Sequence, residues 1–530
     1  MMKAVLTFLR SRRYLAVIGF SLLQGCSMQQ HQLNDLAQTL DNGNASQVLA
    51  EVVEREYPER DLAQYKLTLG LLRAVNGDFA GGINELQAAK AEIAQLQALS
   101  VSENIGAVTV NETLRSYTST ASERMLLQQL LILSYLMEDD LDGARVEVLQ
   151  MQELAKSLPD NGLSGLVSSS YYLGGLVYEL GDETDNAMIS YRQAYQIMQT
   201  SKISIPSVLE DSLLVASKQL GLRSEHEKLV KEFGRDVKAL DRNQSQLILV
   251  YWGGVVSAKQ QRYLSVYEPN LGYNISLALP YYADKYVKPT PWRFTVLGQT
   301  AETEIFDDVN LLARADLDAE STAIYAAALA RVIIKQTALH EVKKNDEDGL
   351  ATLLLNITSM VSEMADVRSW NMLPASIQVQ RVALDAGTYY LQQPTLTQGL
   401  SLTNTVPVTD IMPVTGSASV IASSLASEQV PLELINATAS IHDDVVDKAS
   451  ETDNGLSLPP SNTTQADSID SSGIDTTGVD VTIPDAIAMS SSSHLPIVTV
   501  GSAPLVLKAG STALVFYSSA AKKAYYTLSP

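Results

Sequence analysis

The chain has 530 residues and a formal net charge of −22, and this length is enough for two or three domains with cores of their own. A surface this acidic repels nucleic acid and anionic lipid, so both are excluded as partners. Because the sequence contains a single cysteine, intrachain disulfides are impossible and the stability must come from packing.

Residues 1–25 have the layout of a secretory signal peptide, in which basic residues precede an apolar stretch too short to span a bilayer. The run L-L-Q-G-C-S at 22–27 resembles a bacterial lipobox, where the cysteine is lipidated after the peptide before it is removed. The resemblance implies that Cys26 carries the lipid, with palmitate among its acyl chains, and that this lipid anchors the protein in the bilayer. Since Ser27 rather than Asp follows, it also implies the periplasmic face of the outer membrane. The alternative is an ordinary signal peptide with an incidental cysteine.

Residues 26–240 show a repeating helical pattern. Small residues such as Gly70 and Gly82 recur beside a Gly77-Asp78 turn, as in a tetratricopeptide (TPR) repeat, where antiparallel helices cross closely at small side chains. Similar units surround Ala144 and Ala187, and weaker ones lie at 41–44 and after Pro206. The uneven spacing predicts a divergent TPR-like array with an insertion near 93–123. A generic helical bundle is the alternative.

Such an array predicts a partner-binding surface on the first helix of each pair, which lines the concave face. Tyrosines give a large contact area at a small loss of entropy, and Tyr135, Tyr171 and Tyr172 lie on first helices. We therefore expect these three tyrosines to contact a protein partner. Alternatively, they pack between the helices.

Residues 246–395 change to an alternating pattern that is typical of strands. Strands are predicted at 245–257, 273–282, 292–300, 375–384 and 387–391, and two amphipathic helices near 317–342 and 348–366. The fold class predicted for the whole chain is α+β. A TPR-like helical array precedes a small mixed α/β domain with an antiparallel sheet.

Residues 396–492 have no aromatic residue, no arginine and one lysine, and they are rich in Ser, Thr, Asp and Ala. This composition cannot bury enough apolar surface to offset the loss of chain entropy, so we expect a disordered insert. Apolar content returns at 493–530, and strands there are expected to complete the α+β domain.

Several motifs resemble an uncharacterised family of proteobacterial outer-membrane lipoproteins with TPR-like repeats. They are A-D-V-R-S-W-N-M-L-P at 365–374, G-A-R-V-E-V at 143–148, Y-L-G-G-L-V-Y-E at 172–179 and A-L-P-Y at 278–281. Some members are encoded beside lipoprotein activators of penicillin-binding proteins, which implies a role in the cell envelope.

Four residues carry the resemblance in the first of these motifs: Arg368, Trp370, Leu373 and Pro374. We expect Trp370 to close a helix-to-strand corner and Arg368 to pair with a carboxylate such as Asp366. The alternative is that Arg368 and Trp370 bind a ligand or a partner.

The sequence points to no catalytic site. The five histidines are never spaced like metal ligands, no nucleotide-binding or nucleophile motif with its partners is present, and no cofactor is expected. The function expected is a lipid-anchored periplasmic scaffold that binds an unidentified periplasmic or outer-membrane protein. The alternatives are a peptidoglycan-directed enzyme with an unrecognised acidic pair and a structural subunit of an envelope machine.

Overall fold

The computed structural model describes residues 32–103, 116–238, 240–268, 273–283, 285–345, 364–392, 401–403 and 504–529. Two units divide the chain, residues 1–408 with 495–530 and residues 409–494, and every described residue belongs to the first. The signal peptide, Cys26, most of the predicted insert and residues 348–363 of the second predicted helix lie outside the described residues.

Paired helices fill the first half of the described chain, which confirms the predicted helical region. The pairs are α1 (residues 32–41) with α2 (Ala45–Val53), α3 (Leu62–Val75) with α4 (Phe79–Glu103), α5 (Ala121–Met137) with α6 (Leu141–Ser157), α7 (Ser168–Leu180) with α8 (Thr184–Thr200), and α9 (Ser207–Gln219) with α10 (Arg223–Phe233). The pairs at 41–44 and after Pro206, which have the weaker sequence pattern, are both present.

Small residues allow the close crossings between paired helices. A Cβ atom on Gly70 would lie 2.6 Å from the Leu86 side chain, and one on Gly82 would lie 3.1 Å from the Gly70 carbonyl oxygen. Gly77 turns the chain between α3 and α4 at a φ of +91°, a conformation that residues with a Cβ rarely adopt. The spacing of small residues therefore marks true helix contacts.

Strands make up most of the rest. They are β1 (Gln244–Gly253), β2 (Gln260–Glu268), β3 (Tyr273–Tyr281), β4 (Arg293–Val296), β5 (Gln299–Glu302), β6 (Glu304–Asp308), β7 (Ser376–Asp385), β8 (Gly387–Gln392), β9 (Ser401–Thr403), β10 (Leu505–Leu507), β11 (Thr512–Ser518) and β12 (Lys523–Ser529). One long helix, α11 (Val309–Asn345), follows β6. It begins eight residues before the first predicted helix. Residues 364–366, predicted to end the second helix, are not helical.

The central sheet has the strand order β12-β11-β1-β7-β6. Three of its strand pairs are antiparallel, but β1 and β11 are parallel, with Leu247 opposite Ala513. The prediction of an antiparallel sheet is therefore wrong, and the sheet is mixed. The parallel pair arises because β11 enters the sheet from the far end of the chain, without a hairpin to β1.

Strand β1 is buried on both faces, which explains its continuous apolar run L-I-L-V-Y-W. Ile248, Val250 and Trp252 belong to the core shared with the helices. The alternate residues Leu247 and Leu249 belong to a second core.

A second sheet, with the order β10-β8-β9-β4-β5, packs against the other face of the central sheet through that second core. Strand β9 lies between β8 and β4, where Leu402 pairs with both Leu391 and Val296. The predicted insert, residues 396–492, includes residues 401–403, which are not disordered but form a strand between β8 and β4.

None of the described helices is long and apolar enough to cross a membrane.

Candidate interaction site

The face formed by the first helices is covered by the protein's own strands. α5 contacts β12, α7 contacts β6, and α9 contacts β7. At one end of this contact Phe79 packs edge-on against Tyr525, with ring centroids 5.2 Å apart, and further along Tyr172 packs against Phe306 at 4.5 Å. The surface that a TPR array commonly offers to a partner is here filled from within the chain.

Tyr172 illustrates the consequence. Its side chain is 1% exposed and its hydroxyl oxygen accepts a hydrogen bond from Arg381 Nε at 2.6 Å. A ring buried in this way cannot contact a separate protein, so the prediction of a partner contact by Tyr172 is corrected. Tyr135 and Tyr171 are partly buried and pack against the same core, and burial raises the pKa of Tyr171.

Three carboxylates, two on β6 and one on α11, each bind the amino-terminal end of a different first helix. Asp307 accepts from Ser168 N at 3.1 Å, from Ser168 Oγ at 2.8 Å and from Ser169 N at 2.7 Å, all at the start of α7. Unpaired N–H groups and the helix dipole favour negative charge at this position. Burial nevertheless raises the pKa of Asp307, although these hydrogen bonds oppose the shift.

Asp316 and Glu304 make the same kind of contact with the starts of the first helices on either side of α7. Asp316, from α11, accepts from Ser122 Oγ at 2.9 Å and from Thr120 Oγ1 at 2.5 Å at the start of α5. Glu304 accepts from Ser207 Oγ at 2.5 Å and from Ser207 N at the start of α9. One continuous segment, β6 and the first turns of α11, therefore caps three successive first helices. Nothing in the sequence pattern singled out these acids.

Arg381 of β7 joins the central sheet to the helices through an ion pair and several hydrogen bonds. Its guanidinium binds Glu179 of α7 in a bidentate pair, at 2.8 and 2.9 Å, and donates to Tyr191 Oη at 3.1 Å. Burial raises the pKa of Glu179, but the charge and hydrogen bonds of Arg381 outweigh it and hold that pKa below its ordinary value.

The 365–374 motif is a buried corner that joins the two halves of the described chain. Arg368 pairs with Asp366 at 2.6 Å, the predicted partner, and also with Asp61 at 2.7 Å. Trp370 is 1% exposed, and its backbone N–H donates to Glu123 Oε1 at 2.7 Å. Leu373 and Pro374 are buried. None of these contacts leaves Arg368 or Trp370 facing solvent.

Two groups of residues have the composition of an active site but not its geometry. Ser217 Oγ lies 3.0 Å from His226 Nδ1, and His226 Nε2 lies 3.2 Å from Asp236. However, Ser217 is fully buried and its hydroxyl donates to the Leu214 carbonyl oxygen, so no substrate can reach it.

The second group lines a cavity of about 20 Å³ that includes Glu123 and Asp316, which is room for one water molecule. Both carboxylates there are already bound to helix ends. Among the described residues, no cluster of His, Cys, Asp and Glu could hold a metal ion.

Three of the exposed apolar side chains of the described residues lie on second helices, α6 and α8. Val146 and Leu149 of α6 are 50% and 47% exposed, and Ile189 of α8 is 50% exposed. Val146 lies two residues after the buried Ala144 of α6, and Ile189 lies two residues after the buried Ala187 of α8. We call these three residues the outer patch. The Arg145–Glu183 ion pair, 2.6 Å long, links α6 to the turn before α8 beside it.

No family model matches the chain, and no curated protein matches its sequence. Among solved structures, a crystal structure of MamA is 17% identical with a TM-score of 0.25, over 36% of this chain and 86% of that one. BtubC from P. vanneervenii is 16% identical with a TM-score of 0.25, over 42% of this chain and 82% of that one. Likeness this weak supports no statement about function, and membership of the predicted lipoprotein family stays a prediction.

Proposed function

We propose that this protein is a lipid-anchored scaffold of the cell envelope, at the periplasmic face of the outer membrane, that binds a protein partner through the outer patch. The observation that carries the proposal is the filled inner face of the helical array. The first helices α5, α7 and α9 pack against strands, whereas the second helices α6 and α8 carry exposed apolar side chains that a partner can contact.

The outer patch has the composition of a small interface. Val146 and Ile189 lie at equivalent places in neighbouring helical pairs, Leu149 lies three residues after Val146 on α6, and all three are about half exposed. Charged groups, Arg145 and Glu183, lie beside them. An apolar centre with a polar rim is typical of protein–protein interfaces.

Photocrosslinking in cells tests this surface. A photoreactive residue at Leu149 should capture a protein that mass spectrometry identifies, and Ile189→Glu in the same chain should abolish that capture. The matched control is Leu220, an exposed leucine (36%) at the end of α9. Equal capture of the same protein from position 220, or capture that survives Ile189→Glu, would contradict the proposal.

The anchor is tested separately. Cys26→Ser should move the protein from the membrane fraction to the soluble periplasm, because the acyl chains supply the binding energy, at about 0.8 kcal/mol per buried methylene. Fractionation followed by immunoblotting measures the shift. If the variant stays with the membrane, Cys26 is not the anchor.

A further inference from the structure

The hairpin formed by β2 and β3 stands apart from both five-stranded sheets as a two-stranded ribbon. Leu277 and Leu279 of β3 pack against Ala328 and Val332 of α11. β2 has no such cover, since its residues 262–265 and 267 are all exposed. Tyr263 and Tyr267 are each 59% exposed, far more than most tyrosines of the described chain.

The outer edge of β2 is the one that faces away from β3. No strand pairs with it among the described residues. Natural edge strands are commonly short, or carry charged side chains (above all lysine), proline or a bulge that prevents pairing with another chain. β2 is nine residues long, Q-Q-R-Y-L-S-V-Y-E, with neither lysine nor proline and with a continuous register to β3. Such an edge is available for a further strand.

The sequence of β2 is complementary to itself. If two copies pair antiparallel about Ser265, Arg262 stands opposite position 268, a glutamate, on both sides of the axis. Tyr263 then stands opposite Tyr267, and Leu264 opposite position 266, a valine. Opposite charges and aromatic pairs are the cross-strand combinations that stabilise antiparallel sheets.

We propose that β2 is a homodimerisation strand, and that its occupant is β2 of a second copy of this chain. The pairing joins the two ribbons into a continuous four-stranded antiparallel sheet, β3-β2-β2-β3, about a two-fold axis at Ser265. It is a self-complementary interface of the kind found in most symmetric dimers. This inference is independent of the outer patch and of the lipid anchor.

Disulfide trapping locates the axis. In the purified full chain with Cys26→Ser, Ser265→Cys introduces one thiol, and opposed residues of antiparallel strands have Cα atoms about 4.5–5.5 Å apart, within the range of a disulfide. Mild oxidation should link most of this variant into dimers. The matched control is Ser276→Cys on β3, which is exposed and pairs with Ser265 within the chain. Its symmetry mate lies three strand spacings away, about 14 Å, so it should stay unlinked. Equal linking of both variants, or linking of neither, overturns the proposal.

Charge exchange tests the register. In the dimer, residue 262 of each copy stands opposite residue 268 of the other. Arg262→Glu therefore places two glutamates opposite each other at both ends of the paired strands, and Glu268→Arg places two arginines there. Each should weaken the dimer about tenfold, equivalent to about 1.4 kcal/mol. An equimolar mixture of the two variants restores both opposite-charge pairs and should form heterodimers as strong as the wild-type dimer in sedimentation velocity. A wild-type chain that sediments as a monomer at high concentration, or a mixture that fails to recover, overturns the proposal.

Discussion

Replacing Arg381 with alanine should lower the free energy of unfolding at pH 7 by about 3 kcal/mol. Removing one partner of a buried ion pair costs about 3–5 kcal/mol because the other charge is left without compensation. The lower end applies here, since the Arg381 side chain is 11% exposed but that of Glu179 is 34% exposed. The hydroxyl of Tyr172 and the amide oxygen of Gln246 lose their donor as well. Urea unfolding followed by circular dichroism measures the change.

The pH dependence of this loss identifies its cause. The pKa of Glu179 is held low in the folded protein, so its stabilising contribution is present above the unfolded pKa and is lost as the pH falls through the folded one. The deficit of Arg381→Ala should therefore shrink on acidification. The matched control is Arg145→Ala, which removes an equally bidentate pair with Glu183 on the surface, where ion pairs contribute little. If both variants lose the same stability, burial of Arg381 is not the reason.

The helical half could be largely predicted from the sequence because the residues that determine each helical pair lie close together in the chain. Gly70 and Gly82 are close enough in the chain for their spacing to reveal a helix crossing, and the turn at Gly77 lies between them. The sequence also predicts the strands 245–257 and 375–384, because β1 is a buried apolar run and β7 intersperses apolar with polar residues. The alternating pattern does not predict β6, because this strand is short and carries the acids that cap helices.

The candidate site could not be predicted in the same way. Arg381 binds Glu179 across 202 residues of chain, and no periodicity in either segment encodes that pairing. The repeat pattern predicts that Tyr172, on a first helix, lies on an open surface, but strands that lie far along the sequence cover that surface. Two local signals did exist: the T-S-T-A-S-E run at 118–123 forms a capping box at Thr120, and Pro206-Ser207 starts α9. They mark helix starts, but not the carboxylates that bind there.

Asp307→Ala should lower the free energy of unfolding at pH 7 by about 2–3 kcal/mol. The substitution leaves the N–H groups of Ser168 and Ser169 without an acceptor in a place where both serines are at most 2% exposed, and a buried unpaired donor costs about 1–3 kcal/mol. The gain from removing a poorly solvated carboxylate offsets part of this loss. Glu304→Ala is the matched control, because Glu304 lies on the same strand and makes the same contact to Ser207, but at the surface. It should cost about 0.5–1 kcal/mol. Equal losses would mean that burial of the Asp307 contact adds nothing.

Asp307→Asn separates the charge of Asp307 from its shape. The folded pKa of Asp307 is raised by burial, so the folded state binds the proton more tightly than the unfolded state does. The contribution of Asp307 to the free energy of unfolding is therefore complete when the pH is below the pKa of an aspartate in the unfolded chain, about 3.9. This contribution declines as the pH rises through the pKa of Asp307 in the folded protein. Because asparagine does not titrate, the deficit of Asp307→Asn relative to the wild type should be largest below about pH 4 and shrink toward pH 7. Urea unfolding at a series of pH values measures it. A deficit that grows with pH would show that the helix dipole and the three hydrogen bonds outweigh burial, and that Asp307 is held on α7 by its charge.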